Sequence, residues 1–474
     1  MSVRRLSFSL YMLCPFIVKA VSKNVTCPAS CECDTFFGIK EVNCANLTDV
    51  PSNIPKDTNL LDLSGCNISH IHIQPLEKLF KLQIFAFQEI NTNDENYNLT
   101  ALDLPFLNEI GVEGGVSTSI PQLLPSYIGE LSVSDINLGT LKSGSFKNYP
   151  NLETLSLWYC MLMELEADVF DVIPSLSMLE FNGNNLNEDS FPLDVFKKNQ
   201  ALDSVSFFDN KLKHVLSNLP STVTSVDYSD NAIFELRAHD FKSTPNLIYL
   251  YLQQNMITNV EDFAFDGLDK EISLDMSYNS INKLTGNTLA GLTGAYELHM
   301  SSNNISVVDK DAFRQLVTVH DFKLDQNKIA QLEDFTFQSM VDLQNLDMSH
   351  NNLSAVTNNT FVGLTSLLWL NLSYNWITAI AQDAFKSLQS SKIDLSFNRL
   401  QSLQAEVFSH LTSSAYVNLA GNLWNCDCHL RWLREALDNA TYTIELPYTL
   451  KCATPVKLAG KSFIDLKPSD FVCM

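Results

Sequence analysis

The chain has 474 residues, 45% of them hydrophobic, and a formal charge of -23. Acidity on that scale argues against nucleic acid as a partner, because a phosphate backbone is held by clustered Lys and Arg. A basic protein partner stays open beside plain solubility, and the apolar content is ample for a continuous core.

Residues 1–20 read as a signal peptide. Arg4 and Arg5 start it, an apolar run follows from Leu6 to Val18, and Val18-Lys19-Ala20 makes a small-residue cleavage site. The run is too short for a membrane span, and no later stretch is apolar enough for one. The chain stops one residue after Cys473, with no room for a lipid-anchor signal, so a secreted, extracellular product is expected. Asn-x-Ser/Thr acceptors at Asn24, Asn46, Asn67, Asn98, Asn304, Asn352, Asn358, Asn371 and Asn439 agree with export. An Asn-rich repeat generates such triplets by chance, so only some are expected to carry glycan.

Residues 21–50 are expected to form an N-terminal cap. Cys27, Cys31, Cys33 and Cys44 crowd into a short span of an exported chain. That points to two disulfides, with zinc the minor alternative. A disulfide-pinned hairpin there would cover the otherwise bare edge of the first repeat.

Residues 51–422 repeat. The clearest turns are LQNLDMSHNNL, LLWLNLSYNWI and SSKIDLSFNRL, with Asn351, Asn375 and Asn398 at one position of the leucine-rich-repeat pattern L-x-x-L-x-L-x-x-N-x-L. Alternating apolar residues predict a short strand per turn, and one turn cannot bury its own apolar side, so turns must stack. The ladder position can be followed through about sixteen turns: Cys66, Ile90, Gly115, Ile136, Cys160, Asn184, Asn210, Asn231, Asn255, Asn279, Asn303, Asn327, Asn351, Asn375, Asn398 and Asn422. The steps to Ile136 and Asn231 are short and carry a Leu-Pro; the step to Asn210 is long. Ten residues past the ladder position stand Phe146, Phe170, Phe241, Phe265, Phe313, Phe337, Phe361, Phe385 and Phe408, with Leu289 once. Such recurrence predicts a structural spine, since a cofactor site would not repeat along the chain. Cys66 and Cys160 sit on the ladder, four turns apart, too far for a bridge, and are expected to be buried thiols.

Residues 423–474 are expected to close the stack. Trp424 stands where a repeat has leucine, a helix with Leu430, Leu433 and Leu437 on one side follows, and Cys426, Cys428, Cys452 and Cys473 suit two disulfides better than a metal.

These flanking motifs, CPASCECD and NCDCHLRWL, carry a family resemblance. The chain resembles extracellular leucine-rich-repeat proteins with cysteine-rich caps on both sides, such as Slit proteins, Toll-type receptor ectodomains and variable lymphocyte receptors. The resemblance implies an α/β horseshoe solenoid with a parallel concave sheet and an irregular convex side. It also implies the pairs Cys27–Cys33, Cys31–Cys44, Cys426–Cys452 and Cys428–Cys473, and a role in extracellular recognition without naming a ligand.

The residues between and just after the paired leucines would line the solvent face of the sheet. Most are small and polar. Trp158, Tyr159, Phe208, Tyr249 and Tyr251 differ, and Glu180, Asp209, Asp227 and Asp230 are interleaved with them. Exposed aromatics mark sites where binding energy concentrates, so this concave face is expected to bind an extracellular protein or glycan, and the acidic neighbours would steer a basic one. A glycan on Asn371 would sit on the same face farther along the chain. No nucleophile elbow, His-Glu-x-x-His or phosphate loop occurs, so neither catalysis, cofactor nor metal is expected. The sequence therefore predicts a ligand-binding protein of immunity or extracellular signalling. The alternatives are a matrix or adhesion component, or the non-catalytic subunit of a secreted complex.

Overall fold

The computed structural model describes residues 27–473 apart from 67, 69–70, 89–97, 116 and 389–390. The expected signal peptide (1–20), the acceptors Asn24 and Asn67, and the ladder residue Ile90 lie outside the described residues. The chain divides into two compact units. The first takes the described residues up to Leu212 with Asn218–Val223, and the second takes Lys213–Ser217 and Thr224 onward.

In the first unit an antiparallel hairpin, Cys31–Phe36 with Ile39–Ala45, is pinned by the disulfides Cys27–Cys33 and Cys31–Cys44. Its second strand pairs in parallel with Leu60–Gly65, which converts a bare edge into the first rung of a parallel sheet. Rungs follow at Ile84–Gln88, Glu109–Glu113, Glu130–Ser134, Thr154–Trp158, Met178–Glu180 and Ser204–Ser206, all parallel. Their register aligns Leu61, Phe85, Ile110, Leu131, Leu155, Leu179 and Val205, each fully or almost fully buried. Most ladder residues follow their strand as the spacing predicts, Cys66 and Ile136 among them, and are buried; Gly115 is exposed.

The second unit repeats the same rung from Ser225–Asp227 to Tyr416–Asn418, and Thr443–Ile444 adds the last one. Each asparagine closes its turn with one side chain. Asn327 accepts from Ile305 N at 3.0 Å and donates to Met300 O and Leu324 O at 3.0 Å and Asp325 O at 3.2 Å. The residue before each of these asparagines adopts positive φ, as at Tyr278, His350 and Tyr374 (φ 53–56°). Return legs are mostly turns, with a short 3-10 helix at Ala405–Phe408, and their phenylalanines stack: Phe313–Phe337 at 5.4 Å, then Phe361, Phe385 and Phe408 at 6.1 Å each. In the first unit the long turn before Asn210 keeps the spine by using Phe196, which stacks on Phe170 at 6.0 Å. The sequence pattern had no phenylalanine in that slot.

Beyond Asn422 the fully buried Trp424 sends its indole N–H to Leu419 O. Disulfides Cys426–Cys452 and Cys428–Cys473 bracket the helix Arg431–Asn439, which buries Leu433 while Leu437 is only half-buried. His429 Nδ1 lies 3.8 Å from Cys428 Sγ, but that sulfur is spent in its disulfide, so the group offers no thiolate to a metal. Cys66 and Cys160 are buried free thiols, and burial pushes the Cys160 thiol up to about 12. Among the described residues no helix is long and apolar enough to cross a membrane.

Candidate functional site

Each unit holds part of the aromatic and acidic set. Because side chains alternate along a strand, those flanking the buried leucines all point to the solvent side of the sheet.

In the first unit Trp158 ends its strand half-buried, and its indole N–H donates to Glu180 Oε2 at 3.1 Å. The Ser156 hydroxyl donates to the same oxygen at 2.7 Å, so Glu180 is an anchor for the indole more than a free charge. Tyr159 comes next in the chain but leaves the sheet. It takes φ 53°, half its surface is exposed (51%), and its ring lies over the next turn. That turn has Gly183, where a Cβ would stand 2.2 Å from the tyrosine ring carbons. Glycine is needed there both for space and for its φ of +68°. Phe208 and Asp209 are half-buried, and Asp209 repeats the positive φ of Tyr159. The strand face thus presents Trp158 and Phe208, and the rim presents Tyr159 and Asp209.

In the second unit Tyr249 and Tyr251 share one strand, with rings nearly parallel and 6.5 Å apart. Tyr249 is exposed and Tyr251 half-buried. Register places Asp227 on one side of Tyr251 and Asp275 on the other. Burial, then the nearby carboxylates of Asp227, Glu297 and Asp275, push the Tyr251 phenol up. Burial likewise raises the Asp227 carboxyl, against hydrogen bonds from Ser229. Asp230 lies on the rim and accepts from Gln254.

His299 belongs to no motif in the sequence. It lies between two carboxylates, Asp321 at 3.3 Å and Asp275 at 3.9 Å, whose contacts raise it to about 9 against burial and Lys323. Neither carboxylate is near it in sequence; only the rung register brings them together. A rim stack was also missed: His350 on Tyr374 and Tyr374 on Phe397, each at 4.4 Å, with Gly421 making room beyond Phe397. Beside it the Arg399 guanidinium covers Trp376 at 3.9 Å. The signal was present, since all three stacked residues immediately precede a ladder asparagine.

The expected glycan acceptors within the described residues differ in their surroundings. Asn46, Asn98, Asn352, Asn358 and Asn439 are exposed, whereas Asn304 and Asn371 are half-buried. Asn371 does face the solvent side of the sheet, where its amide donates to Asp347 Oδ2 at 3.1 Å.

The family pattern described as Leucine rich repeat matches residues 221–281, 249–305, 293–353, 317–377 and 370–423. The chain is 24% identical to podocan of Mus musculus over 248 residues, which is 52% of this chain and 36% of podocan. It is 27% identical to human Toll-like receptor 8 over 237 residues, 46% of this chain and 20% of the receptor. Both matches span well under half of the relative's own length. Among solved structures, the Toll–Spatzle complex of Drosophila superposes with a TM-score of 0.69 at 19% identity, covering 90% of this chain and 63% of that one. That likeness bears on fold alone. Toll there is in complex with Spatzle. With the rungs, the spine and both sets of disulfides in place, the chain carries leucine-rich repeats with a disulfide-bonded cap on each flank.

Proposed function

We propose that this is a secreted recognition protein of extracellular signalling or immunity, binding a protein partner through the solvent face of its parallel sheet. The observation that carries this reading is the tyrosine pair Tyr249–Tyr251 with a carboxylate in register on either side of Tyr251. Aromatic faces attract Lys and Arg, and adjacent carboxylates add to that attraction, so a basic segment suits the site. Trp158, Tyr159, Phe208 and Asp209 offer the first unit's share of the same chemistry. Disulfides in both flanks fit an oxidising compartment.

The test is an extracellular interaction screen with the secreted chain at low and high salt, repeated with Tyr249→Ser/Tyr251→Ser. A partner whose affinity falls with salt, and falls at least tenfold more in the variant while the melting temperature holds, supports the reading. Undiminished binding by the variant defeats it. Concentration-dependent self-association with no partner would favour a matrix role instead.

A further inference from the structure

Beside the C-terminal helix lies an open cavity of about 360 Å³. Phe408, Trp432 and Tyr442 give it aromatic walls, and Asn439, Ala440 and Thr441 all line it. The walls are fixed: Phe408 is buried with its ring 5.5 Å from Tyr442, and the Trp432 indole N–H donates to Leu403 O at 2.9 Å. Burial raises the Tyr442 phenol to about 12, so it stays a neutral donor. Asn439 is exposed at the last residue of the helix, its amide nitrogen 3.4 Å from Glu435 O. Asn439-Ala440-Thr441 is an N-glycosylation acceptor.

We propose that Asn439 carries an N-linked glycan and that its first N-acetylglucosamine rests in this cavity, against Trp432 and Tyr442. This rests on the extracellular reading above. The modification uses a lipid-pyrophosphate-linked oligosaccharide. A bond forms between Asn439 Nδ2 and the sugar's C1, the C1–O bond to pyrophosphate breaks, and one amide proton leaves to the transferase's base. The amide keeps its other hydrogen, enough for the contact with Glu435 O. A pyranose presents a C–H face to the electron-rich aromatic faces, while its hydroxyls and acetamide reach Ser409, Glu435 and Thr441 on the same walls. The volume is at the small end of ligand sites, roughly 300–1,000 Å³, and suits a core sugar. The tether decides the occupant, because a sugar attached at the rim has a high effective concentration that a free ligand lacks.

The full chain is secreted from a glycosylating host, and occupancy of each acceptor is read by peptide mass spectrometry. Occupied Asn439 is expected, and trimming the glycan to its first N-acetylglucosamine should leave the melting temperature unchanged. Asn439→Gln should lower it by about 2 °C, whereas Thr441→Ser, which keeps the acceptor, should not. In a Tyr442→Ala background Asn439→Gln should add nothing, since the two then share one interaction. A bare Asn439 beside occupied Asn46 or Asn358 overturns the inference, as do equal losses in both backgrounds or a loss on trimming. A chain bare at every acceptor would overturn the export reading as well.

Discussion

Turns closed by asparagine, which fill the second unit, and turns closed by cysteine or isoleucine, found in the first, hold the same backbone by different means. In the second unit one buried amide, such as Asn351, satisfies an N–H and several carbonyls across adjacent turns. The carbonyl two residues beyond the strand's central leucine is taken by these amides, and most rungs there run three residues, as in Asp321–Lys323 and Asn345–Asp347. In the first unit Ile136 offers no hydrogen bond, and Cys160 offers only a weak thiol, its Sγ 3.4 Å from Val133 O. The rungs followed there by isoleucine or cysteine, Glu130–Ser134 and Thr154–Trp158, run five residues, whereas Met178–Glu180 and Ser204–Ser206, followed by Asn184 and Asn210, run three. That extension is why Trp158 ends a strand. The lesson is that a ladder position needs burial first; hydrogen bonding is needed only where the neighbouring turns are shaped for it.

The sharpest way to break this comparison is to swap the chemistry. Asn327→Leu leaves the Ile305 N–H without its acceptor, while Met300 O keeps the Asn303 amide and Leu324 O keeps the Asn351 amide. Stability should fall by about 1–3 kcal/mol, the cost of one buried group left unsatisfied. Hydrogen exchange of residues 300–330 would localise the loss, and a fall below about 1 kcal/mol would show the amide to be dispensable.

A middle-sized effect is expected at His299. Its contacts with Asp275 and Asp321 raise it from 6.5 to about 9. A raised folded-state value means the folded chain holds the proton more tightly. The stabilisation is therefore complete below about pH 6.5 and is lost as pH climbs through about 9. Discounted for partial exposure, it should amount to about 1 kcal/mol. Melting temperatures of wild type and His299→Gln measured from pH 6 to pH 10 should converge at the alkaline end. A constant gap would remove the histidine from the ion cluster.

The smallest effect belongs to the apolar ladder. Cys160→Val conserves volume and forfeits only a weak thiol contact, so it should cost less than about 1.5 kcal/mol. In the wild type, burial and the raised thiol should keep Cys160 from alkylation at pH 8 until the chain unfolds. Rapid labelling of the folded protein would mean that the first unit's turns open locally.

The period, the asparagine ladder, the spine and the cysteine clusters were legible in the sequence because each is a local rule repeated: alternation within a strand, one residue type per turn, an acceptor triplet. The bridges drawn from the family resemblance are those observed, although spacing alone left several pairings open. Less was legible where chemistry depends on which turn lies beside which. Glu180 as the anchor of Trp158, Gly183 as the bed for Tyr159, and His299 between Asp275 and Asp321 each join residues from adjacent turns. So do the stack from His350 to Phe397 and the aromatic cavity around Asn439, where Phe408 meets residues more than twenty positions away. Sequence alone determined that this chain must wind into stacked repeats, because no single turn can bury its apolar side. Only the tertiary structure decided which exposed side chains are tied to neighbours and which remain available, because that depends on the lateral register of the turns, set by packing and hydrogen bonding between distant segments.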